Sequence, residues 1–343
     1  MRRTFAILGV FLQVALLAYM AADREWLIHR GRTLYLRTMP VDPRDPFRGD
    51  YVRLDYEISW LDSRLWRDGL KAAPSPEDVQ RPDRGKGRQV FLGLSVDESG
   101  VAEPEYVTDR RPAEGLFLKG RTDSTWANAL QVHYGLEAYF MEQGKGLDLE
   151  RGRTRPDRIR IPLEMETAVG SSGASVLKGH RWCALGIGLE IETERDEAVR
   201  GMRPRAAKLS LYNASDRPLS MVDLPGGRSF SLEPDNRWSS GGPLWRWVGG
   251  DVPRQAAVRD EDVRSLPPGG AHTVIIPFSD PAWFVTRDGV AARSLSDQGR
   301  DWSVRFRFVY RPPGQGECAG LKNADQVWHG RLLSSAFSGG SVD

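Results

Sequence analysis

The stretch PVDPRDPFRGDYVRLDYEISW, residues 40–60, decides the fold, because a turn-forming half leads directly into an alternating half. The first half holds two Asp-Pro steps and an Arg-Gly-Asp triplet, and these residue types favour a sharp turn. In the second half every other residue is apolar, namely Val52, Leu54, Tyr56, Ile58 and Trp60. A period of two predicts a β-strand with one buried and one solvated face.

The same period recurs along the chain and predicts a mainly β protein. It is clear in LQVHYGLEAYF (130–140), IRIPLEME (159–166), LGIGLEIETE (185–194) and WSVRFRFVY (302–310). Residues 62–70 and 145–153 are candidates for short helices. Residues 73–88, rich in Pro, Gly and charge, predict a surface loop.

These patterns divide the chain into three parts. Residues 1–30 form an anchor and juxtamembrane segment, residues 31–180 a β-rich (α+β) domain, and residues 181–343 a second β domain. Short strands separated by Asn, Gly and Pro turns favour an immunoglobulin-like antiparallel β-sandwich for the last part. An up-and-down or Greek-key barrel is the alternative.

The N-terminal segment predicts a membrane anchor. Two arginines precede a mainly apolar run from Phe5 to Ala22, and as a helix these 18 residues rise about 27 Å, close to the thickness of the bilayer core. A cleaved signal peptide is the alternative, but no small-x-small pair stands at the end of the run. We therefore expect an uncleaved anchor that contacts the lipid bilayer through residues 5–22.

The short tail before the anchor and the large body after it favour a cytoplasmic N-terminus. In a bacterium this orientation predicts a single-pass inner-membrane protein with the bulk of the chain in the periplasm. Disulfides form in that compartment, so Cys183 and Cys318 either pair there or remain buried free thiols.

Composition excludes several function classes. A formal net charge of +2 argues against a nucleic-acid partner, because such a surface must neutralise many phosphates. The two cysteines and five histidines are scattered without metal-ligand spacing, so we expect no metal and no cofactor. The chain also has no GxGxxG, Walker, GxSxG or HExxH motif, which leaves no sequence reason to propose an enzyme.

The acidic stretch at 42–50 has a functional and a structural interpretation. Asp42, Asp45 and Asp50 could serve as acid–base groups while Arg44 and Arg48 hold an anion. The structural interpretation is stronger, because Asp-Pro turns and Arg–carboxylate pairs fix loops and no nucleophile or histidine stands nearby.

Tryptophan is concentrated in the second body, at Trp182, Trp238, Trp245, Trp247, Trp283, Trp302 and Trp328. Core packing is the main interpretation, and Trp302 on an alternating strand is its clearest case. Trp245 and Trp247 share one side of an extended segment, which makes them the candidates for an exposed binding surface.

The segment GDYVRLDY, residues 49–56, resembles the signature of the GDYXXLXY family. The preceding PVDPRDPFR and the later YGLEAYF and IPLEMETAVGSSGASVLKG also resemble that family, so the resemblance covers about residues 30–180. It implies a bacterial membrane-anchored protein of unknown activity, of a kind often encoded near multi-pass membrane proteins. The signature positions carried over are Gly49, Asp50, Tyr51, Leu54 and Tyr56.

Together these observations predict a membrane-anchored envelope protein that binds or scaffolds an integral membrane partner. We expect Arg48 and Asp50 to fix the turn, Leu54 and Tyr56 to start the core strand, and Tyr51 to lie on its opposite face. The alternative is an envelope hydrolase or glycan-binding module that uses the acidic 42–50 stretch and the Trp-rich 238–247 segment.

Overall fold

The computed structural model describes residues 2–39, 51–71, 86–125, 128–140, 158–196, 201–235, 245–251, 257–287, 289–298, 305–338 and 341–342. Over these residues the chain is mainly β with one long N-terminal helix, α1 (Arg2–Arg30), and this confirms the predicted fold class. A single helical turn, α2 (Gln315–Cys318), lies near the C-terminus.

Helix α1 exposes its apolar side chains along most of its length. Phe5 is 72% exposed and Met20 57% exposed, and residues Ile7–Arg30 are long and apolar enough to cross a membrane. The last turns of the helix contact the body: Leu27 is buried, and Arg24 Nη1 donates to the carbonyl of Ser175 at 3.1 Å. The helix extends to Arg30, well past the predicted apolar run that ends at Ala22.

The first body contains a four-stranded, a five-stranded and a two-stranded antiparallel sheet. The strands are β1 (Arg32–Met39), β2 (Tyr51–Arg53), β3 (Asp55–Tyr56), β4 (Trp60–Asp62), β5 (Gln89–Val96), β6 (Ala102–Thr108), β7 (Phe117–Thr125), β8 (Ala129–His133), β9 (Ala138–Phe140), β10 (Leu163–Val169) and β11 (Ser175–Trp182). Their orders are β11-β10-β1-β3, β4-β8-β7-β5-β6 and β2-β9.

The five-stranded sheet curls round its own core. Arg67 N donates to the carbonyl of Val107 at 2.8 Å, and a parallel bridge joins Trp66 to Val107. The chain that follows edge strand β4 thus reaches edge strand β6 on the opposite side of the sheet. Its core is filled by alternating residues such as Leu92 and Val132, both fully buried.

The second body consists of short antiparallel strands. They are β12 (Leu185–Asp196), β13 (Gly201–Asn213), β14 (Leu219–Val222), β15 (Phe230–Pro234), β16 (Arg246–Trp247), β17 (Val263–Leu266), β18 (Ala271–Pro277), β19 (Val285–Arg287), β20 (Val290–Arg293), β21 (Phe306–Tyr310), β22 (Leu332–Leu333), β23 (Phe337–Ser338) and β24 (Ser341–Val342). They form the sheets β12-β13-β18, β14-β17, β16-β19-β20 and β15-β21-β23-β24, with β22 beside β21.

One hydrophobic cluster joins these sheets. Ile187 and Leu209 from β12 and β13 share it with Phe230 and Phe308 from β15 and β21. A common core formed by one face of each sheet is what the alternating pattern predicted. The immunoglobulin-like topology and the division at residue 180 stay predictions. Residue 180 lies inside strand β11. Backbone hydrogen bonds also cross this position, since Arg160 and Ile187 exchange two of them, of 3.0 and 2.9 Å.

Residues 52–60 do not form the single strand that their period suggested. A 3-10 turn at Glu57–Ser59 separates β3 from β4, and the Tyr56 N–H before it donates to two side chains, Asp55 Oδ1 at 3.0 Å and Ser59 Oγ at 3.2 Å. Local side chain–backbone bonds of this kind compete with a strand ladder. The predicted buried face is nevertheless right at Leu54, Tyr56 and Ile58.

The first candidate helix, residues 62–70, consists of two 3-10 turns, Ser63–Leu65 and Asp68–Leu70. The second, residues 145–153, lies outside the described residues. Other 3-10 turns lie at Pro225–Gly227, Val248–Asp251, Asp260–Asp262, Pro281–Trp283, Leu295–Gln298 and Ala324–Gln326.

Candidate functional site

The described part of the signature segment is built into the core. Leu54 is 2% exposed and Tyr56 is fully buried, and the Tyr56 hydroxyl donates to the carbonyl of Leu136 at 2.7 Å. Burial raises the pKa of Tyr56 well above its usual value, with the carboxylates of Glu137 and Asp55 adding to the effect. The hydroxyl is therefore a permanent donor at physiological pH.

A second tyrosine makes the reciprocal contact. The Tyr134 hydroxyl donates to the carbonyl of Ile58 at 2.7 Å, and the Leu54 N–H donates to the carbonyl of Glu137 at 2.8 Å. Glu137 Oε1 also accepts from the Tyr134 N–H at 2.6 Å. Residues 134–137 thus clamp the signature segment, and the described signature residues have a structural role.

The acid–base interpretation of the opening stretch is not tested by the geometry. Asp42, Arg44, Asp45, Arg48, Gly49 and Asp50 lie outside the described residues. Tyr51 begins β2, where its backbone pairs with Phe140 on β9.

Immediately after the signature, Glu57 faces a cleft of about 490 Å³ between the two bodies. Arg331 of the second body reaches across it, with Nη1 3.4 Å from Glu57 and Nη2 2.7 Å from Glu233. Burial raises the pKa of Glu57, although the charges of Arg37 and Arg331 oppose the shift. Desolvation therefore outweighs the favourable charges at this carboxyl.

A buried ion pair supports this corner from the first body. Arg37 Nη2 lies 2.7 Å from Glu164 Oε1, and both side chains are almost completely buried. Arg181 Nε also reaches Glu164, at 2.7 Å, while Arg37 Nη1 donates to the carbonyl of Arg331. Since a lone buried charge is strongly destabilising, each member of this network depends on the others.

Further polar contacts join the two bodies. Arg311 Nη2 lies 2.5 Å from Glu103 Oε2, and the Gln315 N–H donates to the carboxylate of Glu98 at 3.1 Å. His329 Nδ1 is 3.6 Å from the same Glu98 carboxylate. The interface is thus rich in charged pairs, as is common between domains of one chain.

The predicted aromatic surface at Trp245 and Trp247 is wrong. Trp245 is 7% exposed, and the guanidinium groups of Arg287 and Arg293 lie 5.0 and 4.6 Å from its ring. Trp247 is half-buried and stacks on Trp283 at a centroid distance of 5.2 Å, so one of its faces is covered.

The core interpretation holds for other tryptophans: Trp283 and Trp328 are buried in the main cluster of the second body. Trp238 and Trp302 lie outside the described residues. The Trp-rich segment therefore offers no exposed aromatic pair within the part of the chain that the structure describes.

The two cysteines are free thiols, and the disulfide alternative is therefore wrong. Cys183 belongs to the main core of the second body, whereas Cys318 belongs to a small separate cluster with Val222, Leu224 and Val327. Burial raises the pKa of the Cys183 thiol to about 12. Burial also raises the pKa of Cys318, with Glu317 and Glu98 contributing.

No group of three or more His, Cys, Asp or Glu residues suited to a metal ion occurs within the described ranges. The polar groups that the fold does bring together are the arginines and carboxylates of the cleft. Sequence reasoning missed them because Glu57 and Arg331 are 274 positions apart and each resembles an ordinary solvated charge.

Comparison with protein families supports the resemblance found in the signature. The model of the GDYXXLXY protein family matches residues 13–179, from the middle of α1 to the end of the first body, which is just under half of the chain. No curated protein and no solved structure matches the chain. The second body lies outside the family match.

Proposed function

We propose that this chain, whose residues 13–179 match the GDYXXLXY family model, is a single-pass protein of the bacterial inner membrane with its two bodies in the periplasm. There it binds or scaffolds an integral membrane partner and does not act as an enzyme.

The main support is the junction between anchor and body. Helix α1 passes into β1 through Gly31 alone, and the Gly31 N–H donates to the carbonyl of Leu27 at 2.9 Å. Leu27 and Arg24 pack on the first body within the last two turns of the helix. A body attached in this way stays close to the membrane surface, within reach of an integral membrane partner.

The exposed helix also favours a partner inside the membrane. Its apolar side chains, for example Leu12 at 69% and Leu17 at 65% exposed, pack on no other described part of this chain. In a bilayer such a surface contacts either lipid or the helices of another protein.

The orientation rests on charge. Arg2 and Arg3 precede the apolar run, whereas the described strands of both bodies follow Arg30. Arginines beside a membrane-spanning helix favour the cytoplasmic side. A C-terminal alkaline phosphatase fusion should be active in intact cells, and an inactive but stable fusion would contradict the periplasmic location.

Site-specific photocrosslinking tests the partner. A photoreactive residue at Leu12 or Leu17 of the full chain should give discrete crosslinks to a multi-pass membrane protein in living cells. The matched control is the same residue at Met202, which is 65% exposed but lies in β13 of the second body. If crosslinks from the helix positions contained lipid only, the scaffolding proposal would be lost while membrane insertion would stand.

A further inference from the structure

The cleft between the bodies has the dimensions of a ligand site. Its volume of about 490 Å³ falls within the range of small-molecule pockets. Trp60 and Pro104 of the first body line it opposite Pro234 and Arg331 of the second. The wall therefore combines apolar faces with guanidinium and carboxylate groups from both halves of the chain.

The charges of this wall balance each other in pairs. Among the described lining residues, five arginines accompany five carboxylates. Ion pairs join Arg64 to Asp62 at 2.9 Å, Arg307 to Asp235 at 3.3 Å, Arg311 to Glu103 at 2.5 Å, and Arg331 to both Glu57 and Glu233. A charged ligand would have to break one of these pairs and leave its partner uncompensated, which is costly in a partly buried site.

Pairing does not exhaust the hydrogen-bonding capacity of Arg331 and Glu233. A guanidinium group has five N–H donors and a carboxylate has about four acceptor positions, whereas Arg331 uses one N–H towards Glu57 and one towards a single oxygen of Glu233. The described wall of the cleft therefore presents donors and acceptors side by side, with equal numbers of positive and negative groups. A hydroxyl group both donates and accepts, so it is the neutral group best suited to such a wall.

Trp60 adds a flat apolar surface. It is half-buried at the start of β4 and lines the cleft beside Leu61, which is fully buried. Indole rings combine a large apolar face with a polar edge. We propose that the cleft binds a neutral, hydroxyl-rich molecule the size of one or two sugar rings, with Trp60 against a ring face and the charged pairs at the hydroxyls. This ligand is additional to the membrane partner, and neither proposal depends on the other.

The test uses the full chain in phospholipid nanodiscs, so that no sugar-based detergent competes. Glucose and maltose are titrated by calorimetry beside glucuronate and glucosamine, the anionic and cationic counterparts of glucose. We expect saturable binding of a neutral sugar, with at least about tenfold weaker binding of both charged ones, about 1.4 kcal/mol. Absence of saturation for both neutral sugars up to about 50 mM, or tighter binding of either charged sugar, would overturn the proposal.

Variants distinguish the cleft from adventitious binding. Trp60→Ala should weaken binding of the neutral sugar by about tenfold, whereas Trp60→Phe should retain most of it. Glu233→Gln leaves Arg331 with one carboxylate fewer and should move the preference towards glucuronate. Glu261→Gln, an exposed carboxylate outside the cleft, is the control and should change nothing. An affinity that is unaffected by Trp60→Ala, or a Glu233→Gln variant with unchanged selectivity, would refute the assignment.

Discussion

The hydrogen bond between Tyr56 and Leu136 gives a direct test of how the signature segment works. Tyr56→Phe keeps the buried ring and removes one hydroxyl, which leaves the Leu136 carbonyl without the donor that lies at 2.7 Å. A buried acceptor that loses its donor costs about 1–3 kcal/mol. For a domain of this size, each kcal/mol lowers Tm by roughly 2–4 °C.

The measurement is urea and thermal unfolding of the full chain, followed by circular dichroism, in the same lipid environment for every variant. Tyr106→Phe is the matched control, because the Tyr106 hydroxyl bonds no described residue while its ring lies 4.3 Å from the Arg67 guanidinium. A surface change of this kind usually stays within about 0.5 kcal/mol.

Tyr134→Phe extends the test, because its hydroxyl bonds the Ile58 carbonyl at 2.7 Å and holds the same pair of segments together. We expect a similar loss of unfolding free energy. The double variant should lose an amount that differs from the sum of the two single losses, since neighbouring sites couple by about 0.5–3 kcal/mol. If Tyr56→Phe lowers stability no more than Tyr106→Phe does, the signature tyrosine does not clamp the core and the structural interpretation fails.

Three further predictions concern the junction, the thiols and the cleft. Gly31→Ala places a Cβ 2.6 Å from the Leu27 carbonyl oxygen and should lower the unfolding free energy, measured in thermal melts, by about 1–3 kcal/mol. In the control Gly316→Ala the new Cβ meets no atom within 4 Å and stability should not change; equal effects of the two substitutions would contradict the packed junction. Cys183 and Cys318 should react with iodoacetamide only after denaturation, since both thiols are buried; labelling of the native protein or a shift on a non-reducing gel would show otherwise. Burial raises the pKa of Glu57, so the folded state holds the carboxyl proton more tightly than the unfolded state does. The contribution of this proton to the unfolding free energy is therefore fully present below the pKa of the unfolded state and is lost as pH rises through the pKa of the folded state. Glu57→Gln should remove that decline, and a wild-type-minus-variant difference in unfolding free energy that is constant with pH would disprove it.

Periodicity predicted which residues are buried better than it predicted where strands end. Leu54, Tyr56 and Ile58 are buried as their alternation requires, because either an extended strand or a strand broken by one turn can direct them to the same core. At the break before Glu57–Ser59 the Tyr56 N–H donates to the side chains of Asp55 and Ser59, and a polar side chain in a sequence does not reveal which N–H it will accept from.

The same limit explains the error at Trp245. Alternation places Trp245 and Trp247 on one side of an extended segment but does not say what covers that side. In the folded chain the cover comes from Arg287, Arg293 and Trp283, which are distant in sequence. The cleft could not be predicted from the sequence for a related reason. Its ion pairs join residues of separate bodies, and no local motif marks these residues.

Strand register connects helix α1, the signature and the cleft. Strand β1 starts at Arg32, one residue after helix α1 ends, and near its other end Thr38 pairs with Tyr56 on β3. This register brings the next residues on either side, Arg37 and Glu57, to the interface, where both meet Arg331. A slip of one residue would turn Tyr56 out of the core and Glu57 away from the second body. The buried tyrosine thus has a consequence beyond stability, because the bond that fixes it also fixes which carboxylate faces the cleft.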